Sequence, residues 1–275
     1  MPKVKNLIAE LPQPQIVDVA GLCRDILSGD VDLLTVLGPT ASGKTKYAVR
    51  LARELDALLP EGSRCEIISA DSRQVYRGMD IGTGKDLSEY CDVPYHLIDI
   101  VNPGDVFNVY EFQKAFIDAY SSIRSRGCVA ILCGGTGLYI NAVTAGYDFA
   151  SSKPLSAEGE AHDRRPSGLP EKPFFIGTLV SREVRNARID ARLDARLQEG
   201  MVEEIRGLLD SGVPAETLLG YGLEYKFVTL YLMGELDYEQ MKLKLSTAIH
   251  QFAKRQMTWF RGMERAGCRI HWVEV

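Results

Sequence analysis

The segment Gly38-Pro39-Thr40-Ala41-Ser42-Gly43-Lys44-Thr45 constrains this chain most, because it satisfies G-x-x-x-x-G-K-[ST] between the two elements such a loop requires. Before it, Leu33-Leu34-Thr35-Val36-Leu37 is a short apolar, partly β-branched run that reads as a buried strand. After it, Tyr47, Ala48, Leu51, Ala52, Leu55 and Leu58 recur at helical spacing. Glycines in such a turn let successive backbone N–H groups face an anion. The lysine adds a point charge, and the hydroxyl at the helix start holds Mg²⁺. Gly38, Pro39, Thr40, Ala41, Ser42, Gly43, Lys44 and Thr45 are therefore expected to bind a di- or triphosphate, with Thr45 on the metal.

The alternation of patterns continues along the chain. Strands are expected over 32–37, 65–70, 95–101 and 128–133, and helices over 44–58, 107–125 and 136–145. That order predicts an α/β fold, a P-loop NTPase-like parallel sheet flanked by helices, with a mostly helical C-terminal part. Residues 1–31 read as a Pro-interrupted lead-in carrying a short helix over 17–27, and 32–145 as the α/β core. Residues 146–173 read as a shortened insertion or linker, since Ser151, Ser152, Pro154, Gly159, Pro166, Gly168, Pro170 and Pro173 leave little apolar periodicity. Residues 174–275 supply core strands at 174–180 and 270–273 around C-terminal helices.

Charge and cysteine usage exclude several classes. A net charge of −5 argues against a generally basic nucleic-acid binder. Between Lys242 and Arg269, however, Lys242, Lys244, Lys254, Arg255, Arg261, Arg265 and Arg269 face Glu264 alone, a local basic stretch suited to phosphates. No apolar run reaches the roughly 20 residues of a membrane span. The six cysteines form no C-x-x-C pair, and Cys65, Cys128 and Cys133, in or beside expected buried strands, read as small hydrophobes in a reducing cytosol. A cytoplasmic monomer is expected.

A phosphate loop alone does not choose a reaction. Motor and switch NTPases carry an acid at the end of a second apolar strand. Here Val129-Ala130-Ile131-Leu132-Cys133 ends instead in Gly134-Gly135-Thr136-Gly137. An acid does end the strand Glu66-Ile67-Ile68-Ser69-Ala70, namely Asp71. Carboxyl ends of neighbouring parallel strands share one crevice, so Asp71, the phosphate loop and the Gly134–Gly137 turn are expected to converge there. A lone carboxylate beside a bound diphosphate suits a general base.

Seven segments occur in an order that adds more: GPTASGKT at 38–45, ISADSRQVY at 68–76, GMDIGTGK at 78–85, PYHLIDI at 94–100, GGTGLYIN at 134–141, RIDARL at 188–193 and AKRQMTWFR at 253–261. Together they resemble the tRNA dimethylallyltransferases, also called tRNA isopentenyltransferases, over roughly 32–145 and 174–273. The resemblance implies transfer of a dimethylallyl group from dimethylallyl diphosphate to N6 of adenine 37, in a tRNA anticodon stem-loop. It implies diphosphate and Mg²⁺, rather than ATP, on the phosphate loop. Asp71 becomes the base on adenine N6, Thr136 lines the reaction channel, and Arg188 neutralises the leaving diphosphate. Asp71, Ser72, Arg73 and Gln74 match the segment that touches the bases around the target. Arg192, four residues from Arg188 among Asp190 and Asp194, is expected to belong to a surface ion-pair ladder.

Three departures bear on the acceptor. Residues 146–173 stand where the family carries a long helical insertion, Gly220-Tyr221-Gly222 stands where it reads Gly-Tyr-Arg, and His250 replaces the arginine ahead of the AKRQ helix. Each removes capacity to contact tRNA phosphates. An adenylate dimethylallyltransferase acting on a free adenine nucleotide is therefore the alternative, with a P-loop small-molecule kinase further off. A degenerate, non-enzymatic nucleotide binder is opposed by the intact Lys44, Thr45, Asp71 and Thr136. Tests with AMP and ATP separate these.

Overall fold

The computed structural model describes residues 12–146 and 166–275. Six strands form one parallel sheet: β1 (Leu33–Leu37), β2 (Cys65–Ser69), β3 (Tyr95–His96), β4 (Val129–Gly134), β5 (Pro173–Leu179) and β6 (Ile270–Glu274). They lie side by side in the order β3-β2-β4-β1-β5-β6, every pair parallel. The chain leaves β1 by skipping over the place of β4 to lay down β2. This reversal of strand order opens a crevice at the carboxyl ends of β1 and β4.

Side-chain alternation within β1 feeds two separate cores. Leu33 and Leu37 face one side, packing with Phe112 and Phe116 of α3 (Val109–Ser125), Tyr139 of α4 (Gly137–Asn141) and Phe260 of α9 (Tyr238–Arg265). Leu34 and Val36 face the other, against α1 (Val19–Ser28) and α2 (Lys44–Asp56). Both faces of the sheet are covered, which is why its strands read as continuous apolar runs. A third core joins α5 (Arg182–Gln198), α6 (Met201–Asp210), α7 (Ala215–Gly220), α8 (Leu223–Leu232) and α9 around Tyr225, Met241 and Leu245. The fold class matches the expected parallel α/β sheet with a helical C-terminal part.

Local differences from expectation have physical causes. The strand expected over 95–101 stops at His96, because Leu97 and Asp99 adopt positive φ of 62° and 56°. That twist turns Asp99 onto the buried Lys85 ammonium, which also meets Asp80 at 2.9 Å and the Tyr76 carbonyl. The helix expected over 136–145 ends at Asn141 and continues as a π turn over Ala142–Gly146. The lead-in ends in α1, whose N-cap Asp18 accepts from the Gly21 amide at 3.0 Å, and it buries Leu22, Cys23 and Ile26. Residues 1–11 of the lead-in and 147–165 of the expected linker lie outside the described residues. The rest of that linker packs on the core: Leu169 is buried, and the Asp32 carboxylate accepts the Glu171 and Lys172 amides at 2.7 and 2.9 Å.

Candidate active site

Between β1 and α2 the phosphate loop turns through left-handed backbone at Ala41 and Gly43, with φ of 59° and 79°. Gly43 is the N-cap of α2 and provides no side-chain bond, so the first-turn amides of that helix remain for an anion. Gly38 and Ser42 serve the loop's own packing. The Ser42 hydroxyl lies 2.6 Å from that of Thr178 on β5, and a side chain at Gly38 would overlap both. Lys44 and Thr45 begin α2 and line the crevice.

The carboxyl ends of β2 and β4 cross closely beside this loop. A Cβ at Gly134 would overlap the Ala70 carbonyl, and the Thr136 amide donates to that same carbonyl at 3.3 Å. The Thr136 hydroxyl accepts from the Ser72 amide at 3.3 Å. Asp71 uses Oδ1 to accept from the Arg73 amide at 2.9 Å, while Oδ2 has no donor among the described residues. Gln74 accepts from Ser69 Oγ at 3.2 Å and donates to the Gly84 carbonyl at 3.3 Å, so its amide braces the loop across from it.

One cavity of about 760 Å³ gathers these pieces. Its lining includes Thr40, Ala41, Gly43, Lys44 and Thr45 of the phosphate loop, Asp71 through Gln74, Thr136 and Arg188. Gly38, Pro39 and Ser42 are not on the lining. Burial lowers the pKa of the Lys44 ammonium, against the opposing pull of the Cys133 thiol and Asp71. Cys133 itself, buried behind the loop, is pushed up to about 12 and is no nucleophile.

Arg188 of α5 stands in the cavity as expected, but Arg192 departs from the expected surface ladder. Arg188, Arg192 and Arg196 recur every fourth residue and all three line the cavity. Arg192 pairs with Asp86 across the crevice and donates to the Gly84 carbonyl at 3.3 Å, not to the neighbouring aspartates of its own helix. Those aspartates tie α5 to α9 instead: Asp190 meets His250 at 2.8 Å and Ser246 at 3.0 Å, and Asp194 meets Lys242 at 2.8 Å. His250 is thus a helix-to-helix bridge, and Lys242 is removed from the free basic face. Arg196 lies 3.9 Å from Glu224; burial lowers its pKa and raises that of Glu224.

Sequence reasoning did not single out Phe252 or Glu204, and it gave Arg255 and Trp259 no place in the cavity. Phe252, Arg255 and Trp259 of α9 stand at one side of the cavity, with the Arg255 guanidinium 5.8 Å from the Phe252 ring centroid. Trp259 packs where a side chain at Gly137 would stand, so the last glycine of GGTG answers to this ring. Glu204 of α6 accepts the amides of Asp80, Ile81 and Gly82 at 2.8, 2.7 and 3.0 Å, fixing the loop that carries Gly84. The AKRQMTWFR segment already held Arg255 and Trp259, and the i, i+3, i+7 spacing of Phe252, Arg255 and Trp259 was the further signal that they share a face.

Comparison with known proteins gives a consistent answer. A family model described as IPP transferase matches residues 74–168 and 149–263. The chain is 48% identical to tRNA dimethylallyltransferase 2 of Porphyromonas gingivalis, covering 88% of this chain and 94% of that protein. It is 45% identical to tRNA dimethylallyltransferase 2 of Bacteroides fragilis, covering 90% and 94%. The first alignment runs over 291 positions yet takes in only 88% of these 275 residues, so the relative has residues with no counterpart here. Among solved structures, the full-length tRNA isopentenylpyrophosphate transferase of Bacillus halodurans superposes with a TM-score of 0.74. Its sequence is 31% identical, and the match covers 88% of this chain and 89% of that one.

Proposed function

The chain belongs to the tRNA dimethylallyltransferase family and is an enzyme that modifies adenine 37 of tRNA, and on that premise we propose which of its residues carry the transfer. The donor is dimethylallyl diphosphate. Its diphosphate sits on the phosphate loop, against the uncapped start of α2, with Lys44 and Arg188 facing its charge. The residues present fit Mg²⁺. Thr45 begins α2 on the cavity lining, and its hydroxyl would hold the ion there. When bound, Mg²⁺ neutralises charge on the leaving group.

Asp71 accepts a hydrogen bond from adenine N6 through its unengaged Oδ2 and takes the N6 proton. N6 attacks C1 of the donor, the N6–C1 bond forms, the C1–O bond breaks, and diphosphate departs with that electron pair. Negative charge grows on the departing oxygen, where Lys44, Arg188 and the loop amides are preorganised. Thr136 lines the channel between the two reactants. Ser72, Arg73 and Gln74 face the bases around the target, which leaves its stack to reach Asp71. A monomer working in the cytoplasm, on the anticodon stem-loop, completes the reading.

The observation that supports this best is the convergence of Asp71, Thr136, the phosphate loop and Arg188 on a single cavity. The likeness to tRNA dimethylallyltransferases along nearly the whole chain favours this over a free-nucleotide prenyltransferase or a kinase. The test is to incubate the purified protein with dimethylallyl diphosphate, Mg²⁺ and either unmodified tRNA or AMP, and to weigh the resulting adenosines. Prenylated adenosine from tRNA supports the reading; efficient prenylation of AMP alone overturns the acceptor assignment.

A further inference from the structure

Gln256 lies on α9 at the cavity wall and is 7% exposed. Its Oε1 accepts from the Thr40 amide at 2.8 Å, and its Nε2 donates to the Gly135 carbonyl at 2.9 Å. One side chain therefore grips both the phosphate loop and the turn after β4. Each end of the amide faces a backbone group of the opposite kind, which fixes its orientation. The approach is close enough that a Cβ at Gly135 would come within 2.5 Å of Nε2. From Gly135 the chain passes to Thr136, whose hydroxyl accepts from the Ser72 amide beside Asp71. A short, continuous run of contacts thus links the phosphate loop to the segment bearing the carboxylate.

Packing alone does not ask for a glutamine here. Its neighbours Ala253, Met257 and Phe260 are apolar core residues, and a methionine would fill the same volume without burying an amide. The amide's distinctive contribution is to hold two backbones at a set spacing. We propose that Gln256 is a positioning residue for prenyl transfer, setting the separation between the diphosphate loop and the turn that abuts Asp71. This rests on the reading above, in which one loop holds the donor and the other faces the adenine.

The experiment compares the parent protein with Gln256→Met, Gln256→Glu and Asp71→Asn, with dimethylallyl diphosphate and unmodified tRNA as substrates. Turnover at saturation, KM for each substrate and melting temperature are measured for all four. Gln256→Met is expected to lose about 10–100-fold in kcat at a temperature where it is fully folded, since small misplacements of reacting groups are costly. Gln256→Glu keeps an acceptor for Thr40 but sets a carboxylate against the Gly135 carbonyl; protonation restores a donor there. The ratio of its kcat to the parent's therefore rises as pH falls, whereas the Gln256→Met ratio stays flat. A kcat for Gln256→Met within about twofold of the parent, or a pH-independent Gln256→Glu ratio, overturns the proposal. Should Gln256→Met fail to fold, the Gln256→Glu profile decides alone. An active Asp71→Asn refutes the underlying site reading and the positioning role with it; an inactive Asp71→Asn beside a fully active Gln256→Met refutes the positioning role only.

Discussion

The Thr136 hydroxyl accepts a hydrogen bond from the Ser72 amide at 3.3 Å, joining the turn after β4 to the residue that follows Asp71. These two segments are 64 residues apart in the chain, and their strands, β2 and β4, are neighbours in the sheet. The carboxylate is therefore placed by the rigid sheet rather than by a free loop.

Asp71→Asn should fold and bind dimethylallyl diphosphate as the parent does, yet lose about 10²–10⁴-fold in turnover. The amide keeps the shape and the acceptor for the Arg73 amide but does not take a proton. Single-turnover kinetics at saturating donor check this.

Lys44→Ala and Arg188→Ala should each weaken diphosphate binding, and both should slow turnover if, as proposed, they face the charge that grows as the C1–O bond lengthens. Burial lowers the Lys44 pKa in the empty site. Affinity for the donor should accordingly decline with rising pH earlier than an ordinary lysine would dictate, as the ammonium loses its proton. Calorimetric titration of inorganic diphosphate across alkaline pH, in parent and Lys44→Ala, measures it; the variant should show no such decline.

Gly84→Ala should damage the arginine side of the cavity. Gly84 has φ of 65°, and an added Cβ would overlap the Arg192 and Arg196 guanidinium groups. The left-handed backbone alone costs about 1–2 kcal/mol with a side chain. A lower melting temperature together with a weaker affinity for inorganic diphosphate is the expected pair of results.

Acid should weaken the fold through Glu66. This buried carboxylate on β2 meets His96 at 2.7 Å, Arg126 at 2.7 Å and Arg64 at 3.2 Å. Burial pushes its pKa up, but the bonds from His96, Arg126 and Arg64 together outweigh that and the net shift is downward. A lowered folded-state pKa means stability that is present above the ordinary carboxylate range and is lost as pH falls through the folded value. Glu66→Gln should cost about 1–3 kcal/mol at neutral pH, with the difference from the parent shrinking in acid. Urea unfolding at several pH values reads it.

The basic stretch of α9 is smaller than its composition suggests, because Lys242 is held by Asp194. Lys244 and Lys254 are exposed, and reversing both to Glu should raise KM for tRNA and flatten its salt dependence while sparing donor affinity.

Much of this was legible because the signals were local. The phosphate loop, all six strand positions and Asp71 at a strand end were readable from periodicity and punctuation, since parallel strands buried on both faces announce themselves as apolar runs. The end of the 95–101 strand was not, because it depends on Asp99 turning towards Lys85, a contact no pattern encodes. Arg192 was misread for a similar reason. Its spacing from Asp190 and Asp194 suits a surface ladder, and only the fold shows those carboxylates turned to α9 and Arg192 reaching Asp86. Gln256 joins loops 216 and 121 residues distant, so its role became visible only with the backbone assembled.

The most direct test follows label from C1 of dimethylallyl diphosphate into three acceptors: an anticodon stem-loop with adenine at position 37, the same stem-loop with guanine there, and AMP. Label should enter only the first, on N6, in a reaction that needs Mg²⁺ and is indifferent to ATP. Equal labelling of AMP, or labelling of the stem-loop that has guanine at 37, would contradict the account.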